Sequence, residues 1–144
     1  GNLFVEQRRH VYSKQAGLAT KRTPLVDVYL KPEGKQQYTG SVVLLTSEST
    51  FSAAETFAMA MTSLPKVTIM GEATGGALTD RLGKRVTAKN ILFTLSNEVY
   101  LTPSGDWYEA QGVPVDIPVK FLTRIERDNL RDYGIEKAEE FLLK

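Results

Sequence analysis

The sequence predicts an α/β fold, and three features of it carry that prediction. The apolar run Ser41-Val-Val-Leu-Leu-Thr46 is followed by residues at helical spacing and then by a second short apolar run, Val67-Thr-Ile-Met70, which together have the shape of a βαβ unit. Short alternating segments come after it, and the stretch from Thr123 to Lys144 is charged and helical in period. At 144 residues, with 42% hydrophobic residues, the chain is sized for one unit of about 100–200 residues with a core of its own. The balance of 18 Lys plus Arg against 17 Asp plus Glu lacks the basic excess of a nucleic-acid or polybasic membrane binder. No Cys and a single His exclude a disulfide scaffold, a cysteine nucleophile and a multi-histidine zinc site. No apolar run approaches the roughly 18 residues that cross a bilayer as a helix, and the first residues do not read as an export leader.

In chain order, Asn2 is read as the cap of an amphipathic helix. Leu3, Phe4, Val11 and Tyr12 lie on roughly one face of it, and it ends near Gly17. A cap so close to the first residue leads to the expectation that the chain begins partway through a longer polypeptide. Pro24 to Leu30 alternates as a strand, closed by the turn residues Lys31-Pro-Glu-Gly34. Ser41 to Thr46 reads as a central strand buried on both faces. The helix after it carries Phe57, Met61 and Leu64 at helical spacing beside small Ala54 and Ala58, and stops at Pro65. Lys84 to Ala88, Ile91 to Leu95 and Glu98 to Thr102 read as a meander with tight turns at Lys89-Asn90 and Ser96-Asn97. Thr102-Pro-Ser-Gly105 is a turn, and the prolines of Val113 to Val119 demote that segment to an edge strand. The tail divides into two short helices interrupted at Tyr133-Gly134.

Ser52 is the first candidate for chemistry. It stands where a buried strand gives way to a helix, whose N-terminal amides and partial positive charge would favour an oxyanion on a bound carbonyl. The plainer reading is that Ser52-Ala-Ala-Glu55 is a capping box. Gly75 and Gly76 would let backbone pass close to a nucleophile or substrate, or else form an ordinary tight turn. They are not a phosphate loop, since no Gly-Lys-Ser/Thr follows. Phe93, Tyr100, Trp107 and Tyr108 could line an apolar pocket, although aromatics in strands are usually core. Glu126, Arg127, Asp128, Arg131 and Asp132 read as a solvated helix face.

Taken together, Val42-Val-Leu-Leu-Thr-Ser-Glu-Ser-Thr-Phe-Ser-Ala-Ala-Glu55, Gly71-Glu-Ala-Thr-Gly-Gly76, Leu101-Thr-Pro-Ser-Gly105 and Glu109-Ala-Gln-Gly-Val-Pro-Val-Asp116 closely resemble the C-terminal processing (tail-specific) peptidase family. The resemblance implies a crotonase/ClpP-like core of twisted β-sheet with flanking helices, of which residues 1–144 would be the nucleophile-bearing C-terminal half. An N-terminal half, and often a PDZ domain, would stand elsewhere in the polypeptide, and an oligomer is possible. Ser52 matches the family nucleophile. The general-base lysine of the serine/lysine members falls on Ala77, so the sequence is nearer the branch of the tricorn core protease and interphotoreceptor retinoid-binding protein. That branch implies Glu109 as a catalytic glutamate and a histidine base from a preceding segment, since His10 lies where the family has no catalytic residue. It also implies an oxyanion hole from the amide of Ala53 with one near Gly1, Gly1 resembling the last residue of a family Gly-Gly segment.

The implied activity is serine-type hydrolysis of peptide bonds in unfolded or C-terminally tagged polypeptides, or in short peptides. No cofactor, metal or nucleic acid is implied, and the location would be periplasmic or extracellular. These residues alone would be inactive for want of a base. The alternative is a non-catalytic module for an apolar, retinoid- or lipid-like ligand, in a dry pocket lined by residues such as Phe57, Phe93 and Trp107. A crotonase-type acyl-thioester enzyme is a third reading, disfavoured because its usual oxyanion segments are not found.

Overall fold

The computed structural model describes residues 2–12, 20–22, 24–30, 34–79, 81–86, 90–96 and 98–144. The first element is β1 (Asn2–Tyr12), not the helix expected there. It pairs antiparallel with β2 (Thr20–Arg22) and β3 (Val26–Leu30), and also with β8 (Glu98–Leu101). The polar centre from Glu6 to His10 carries neither a clear period of two nor one of 3.6. Pairing with strands distant in sequence therefore decides the conformation, overriding a weak local preference. The turn expected over Lys31 to Gly34 falls largely outside the described residues.

The βαβ unit is present. β4 (Val42–Thr46) runs parallel to β5 (Val67–Gly71), in register from Val42 opposite Val67 to Thr46 opposite Gly71, with α1 (Ala53–Met61) between them. The proline-bearing segment supplies β9 (Ile117–Pro118), which pairs parallel to the other edge of β5. Thus β5, and not β4, is the central strand of this sheet among the described residues. Its Ile69, Met70 and Gly71 are buried, whereas Leu45 of β4 is 39% exposed. An apolar run signals covered faces but does not say which strand lies between two others.

α1 also turns differently from expectation. Glu55, Ala58, Met59 and Ala60 are buried, while Phe57 and Leu64 are exposed. Small Ala58 lets the helix approach the sheet and Met59 fills the space beneath, a burial worth about 1.5–3 kcal/mol for a side chain of that size. The core comprises Ala58, Met59, Ile69, Leu78, Tyr100 and Val113, with Leu44, Tyr108 and Val115 packed against it.

The expected meander is a hairpin only. β6 (Arg81–Val86) and β7 (Ile91–Ser96) pair with each other, whereas β8 pairs with β1. One residue separates Ser96 from Glu98, fewer than the two of the tightest common hairpin loop, so β8 does not fold back on β7. The C-terminal helices are α2 (Arg124–Asp128) and α3 (Tyr133–Leu142). The break lies at 129–132, so Tyr133 and Gly134 open the second helix instead of interrupting it. Asp132 caps it by accepting the amide of Ile135 at 3.1 Å.

Candidate active site

Ser52 sits at the N-cap of α1 with φ 58° and ψ −128°. This is the first corner of a type II′ turn, a conformation normally filled by glycine. For a residue with a side chain it costs about 1–3 kcal/mol and persists only where neighbours enforce it. They do so here: the Ser52 amide donates to the Ala77 carbonyl at 3.0 Å and to Glu55 Oε2 at 3.3 Å. Ser52 and Glu55 have the mutual placement of a capping box, yet the Glu55 amide gives its bond to the Ser52 carbonyl at 2.9 Å. The hydroxyl, on an exposed residue, is left to the surface. The amide of Ala53 is the first of the helix, ahead of its intrahelical ladder.

Glu55 has no exposed surface. Its carboxylate accepts from the Thr74 hydroxyl at 2.5 Å and from the amides of Gly76 and Ala77 at 2.7 and 2.6 Å, besides that of Ser52. An isolated buried carboxylate would cost several kcal/mol; four donors offset that and lock the glycine-rich segment to the start of α1. Thr74 passes the link on, because its hydroxyl also accepts the amide of Val113 at 2.7 Å. Sequence reasoning gave Glu55 only a capping role and overlooked Thr74. No local pattern announces this, because the donors Thr74, Gly76 and Ala77 lie 19 to 22 residues beyond Glu55.

Glu109 grips the other side of the same segment, its Oε2 accepting the amides of Leu78 and Thr79 at 3.1 Å each. The next residue, Ala110, has φ 64° and donates to the Gly76 carbonyl at 2.7 Å. Glu109 is delivered from β8 through the Thr102 to Asp106 turn. There the Asp106 carboxylate accepts the Ser104 hydroxyl at 2.6 Å and the Thr102 hydroxyl at 3.1 Å, bonds that hold its pKa below the ordinary value. Half-buried Tyr108 follows, its phenol pushed up by burial and then by the charge of Asp106.

Residues 74–79 therefore bring Ser52, Ala53, Gly75, Gly76 and Glu109 into one constellation. A Cβ on Gly75 would lie 2.8 Å from the Glu48 carbonyl, and one on Gly76, at φ 75°, 2.9 Å from backbone of Ala110. Both glycines are thus required by close backbone approach. Ala77, at the position of the family lysine, is exposed. Gly1 lies outside the described residues, and of His10 only the backbone is described, paired opposite Arg22 in β1. Tyr100 is core, its hydroxyl donating to buried Glu98 at 2.6 Å. Trp107 and Phe57 are about half exposed and line neither main cavity, so the expected pocket of Phe57, Phe93 and Trp107 is not formed by the described side chains. The residues expected on a solvated helix face are exposed except Glu126 and Asp132, which accept capping amides.

The sequence profile of peptidase family S41 matches residues 1–119. A crystal structure from Parabacteroides merdae ATCC 43184, assigned provisionally as a peptidase, is 25% identical with a TM-score of 0.80, covering 99% of this chain and 43% of that one. A lipoprotein from Streptococcus agalactiae is 14% identical with a TM-score of 0.61, covering 98% of this chain and 44% of that one. A provisionally assigned S41 protease from Bacteroides fragilis NCTC 9343 is 17% identical with a TM-score of 0.57, covering 93% of this chain and 33% of that one. The latter two likenesses concern the fold alone. The chain spans less than half the length of each of these structures.

Proposed function

Because this chain belongs to peptidase family S41, we propose that it carries the nucleophile of a serine peptidase acting on unfolded, C-terminally tagged or short polypeptides. Ser52 Oγ attacks the scissile carbonyl carbon while a base takes its proton. The tetrahedral oxyanion is stabilised by the amide of Ala53, a second donor coming from near Gly1. Collapse expels the amine, to which the base delivers the proton taken from Ser52, and water then attacks the Ser52 ester, giving its proton to the base and releasing the acid while Ser52 Oγ is reprotonated. Glu109 orients or polarises the site from across residues 76–79, and the peptide passes beside Gly75 and Gly76.

The observation that carries this reading is the backbone of Ser52. A strained corner at the start of a helix, imposed by a fully buried carboxylate, is more than capping requires. It resembles the sharp turns that expose nucleophilic serines elsewhere. With alanine at position 77 the base is not a lysine of the glycine-rich segment; a histidine preceding these residues in the polypeptide supplies it. Residues 1–144 alone are then inactive, since a serine without a base is a weak nucleophile at neutral pH.

The test is turnover of an unstructured polypeptide by the longest natural form of the protein, beside its Ser52→Ala variant, with fragment mass analysis. Cleavage should fall by about 10⁴-fold or more with the substitution. Equal cleavage by both proteins, or none by either in a folded sample, would overturn the proposal and return Ser52 to the role of a helix cap.

A further inference from the structure

We infer that the cleft at the carboxyl ends of β4 and β5 binds a small zwitterion, namely a free amino acid with an apolar side chain. The cleft, open to solvent on one side, holds about 210 Å³ and adjoins the Ser52 constellation without including it: Ser47 and Thr50 line it and the Thr50 carbonyl accepts the Gly75 amide at 2.8 Å, whereas Ser52, Gly75, Gly76 and Glu109 are not part of the lining. Carboxyl ends of parallel strands are where open α/β sheets take ligands. The volume falls below the roughly 300–1,000 Å³ of pockets for drug-sized molecules and amounts to several waters at about 30 Å³ each. A volume of this size matches one small molecule.

The lining specifies the chemistry of that molecule. Leu45, Val119 and Phe121 form an apolar wall, and the floor at Thr46, Ser47 and Gly71 is buried. Exposed Lys120 and half-buried Asp132, of opposite charge, are both lining residues of the cleft. Among the described residues no ion pair within 4.0 Å joins them to each other or to another group. The Asp132 carboxylate is fixed by accepting the Ile135 amide as the cap of α3. Ser47 Oγ accepts the amide of Ser49 and Thr50 Oγ1 that of Ser47, so each hydroxyl retains its hydrogen for an incoming acceptor.

Two separated opposite charges, two hydroxyl donors and an apolar wall complement an α-ammonium toward Asp132, an α-carboxylate toward Lys120 and the hydroxyls, and an aliphatic side chain against Leu45 and Phe121. A purely apolar ligand would use neither charge. A peptide terminus would answer only one.

Calorimetric titration of the purified protein with L-leucine, and separately with N-acetyl-L-leucinamide, tests this. The two share a side chain and differ in both charges. L-Leucine should bind at millimolar concentration or below, and the blocked compound about tenfold more weakly or worse. Lys120→Met, which keeps the stem, and Asp132→Asn, which keeps a capping oxygen, should each weaken L-leucine by about tenfold or more. Ser52→Ala should leave binding unchanged, which separates this inference from the peptidase reading. No heat with L-leucine, equal binding of the blocked compound, or equal binding of a leucine-terminated tripeptide would each overturn it. Because the ligand comparison uses the unaltered protein, a variant that fails to fold does not rescue the idea.

Discussion

At Ser52 the backbone holds a conformation that glycine would adopt without strain, so on the peptidase proposal activity and stability pull in opposite directions at this position. Ser52→Gly should raise the unfolding free energy by about 1 kcal/mol in denaturant titration, while Ser52→Ala, which keeps the Cβ, should not; destabilisation by the glycine would refute the strain argument. Glu55 is the counterpart. Glu55→Gln keeps the shape but sets an NH₂ group against donors, leaving amides among Ser52, Gly76 and Ala77 unanswered in a buried place. Loss of about 2–4 kcal/mol is expected, and on the peptidase proposal kcat should fall more than KM changes, because the backbone of Ser52 is what loosens. Unchanged kcat in a folded Glu55→Gln protein would show that the carboxylate does not position Ser52. At this scale the motif singled out Ser52 and Glu109, which lie on the two sides of residues 76–79. The importance of Glu55 stayed hidden because burial of a charge depends on donors 19 to 22 residues away.

The elements depend on two carboxylates of different kinds. In the glycine-rich segment, Gly76→Ala adds a Cβ at φ 75° against the backbone of Ala110, where nothing flexible can yield. It should destabilise by more than the roughly 1 kcal/mol of an ordinary glycine substitution and reduce turnover, since Ala110 and Glu109 are pushed away together. In the tail, Glu126 accepts the Thr123 amide at 2.7 Å and the Tyr133 amide at 2.9 Å, so it joins the start of α2 to the start of α3. The Thr123 hydroxyl and then the Thr123 amide hold its pKa below 4.5. Because the folded value is the lower one, the unfolded chain takes the proton more readily. The stabilisation is complete above about pH 4.5 and is lost as pH falls through the folded value. Amide exchange of α3 should accelerate on acidification before that of β5, and Glu126→Gln should remove Glu126's share of this dependence. Simultaneous loss of protection in both elements would mean that Glu126 has no separate role.

Across the whole molecule, sequence reasoning succeeded where partners are local and failed where they are distant. The parallel pair β4 and β5 with α1 was legible because two apolar runs bracket a helix of suitable length. The assignment of β1 and β8 to one sheet was not, because Glu6 opposite Leu101 and Arg9 opposite Glu98 are pairings across about ninety residues that no local period announces. That pairing matters to the site, since β8 leads through the Asp106 turn to Glu109. The organisation also forecasts how the molecule opens. Central β5 is buried and clamped by Asp116, whose carboxylate accepts the Ile69 amide at 2.7 Å while its own amide donates to the Ile69 carbonyl at 2.8 Å. Among the described residues the β6–β7 hairpin pairs only with itself, with Ile91 and Leu92 exposed, and two strands alone are marginal in water. Native-state hydrogen exchange should therefore find β6 and β7 opening at a small fraction of the global free energy and β5 only on global unfolding. Asp116→Ala should release β9 and bring the exchange of Ile69 forward without touching the hairpin. Equal protection of β5 and the hairpin would show a single cooperative unit and refute this division.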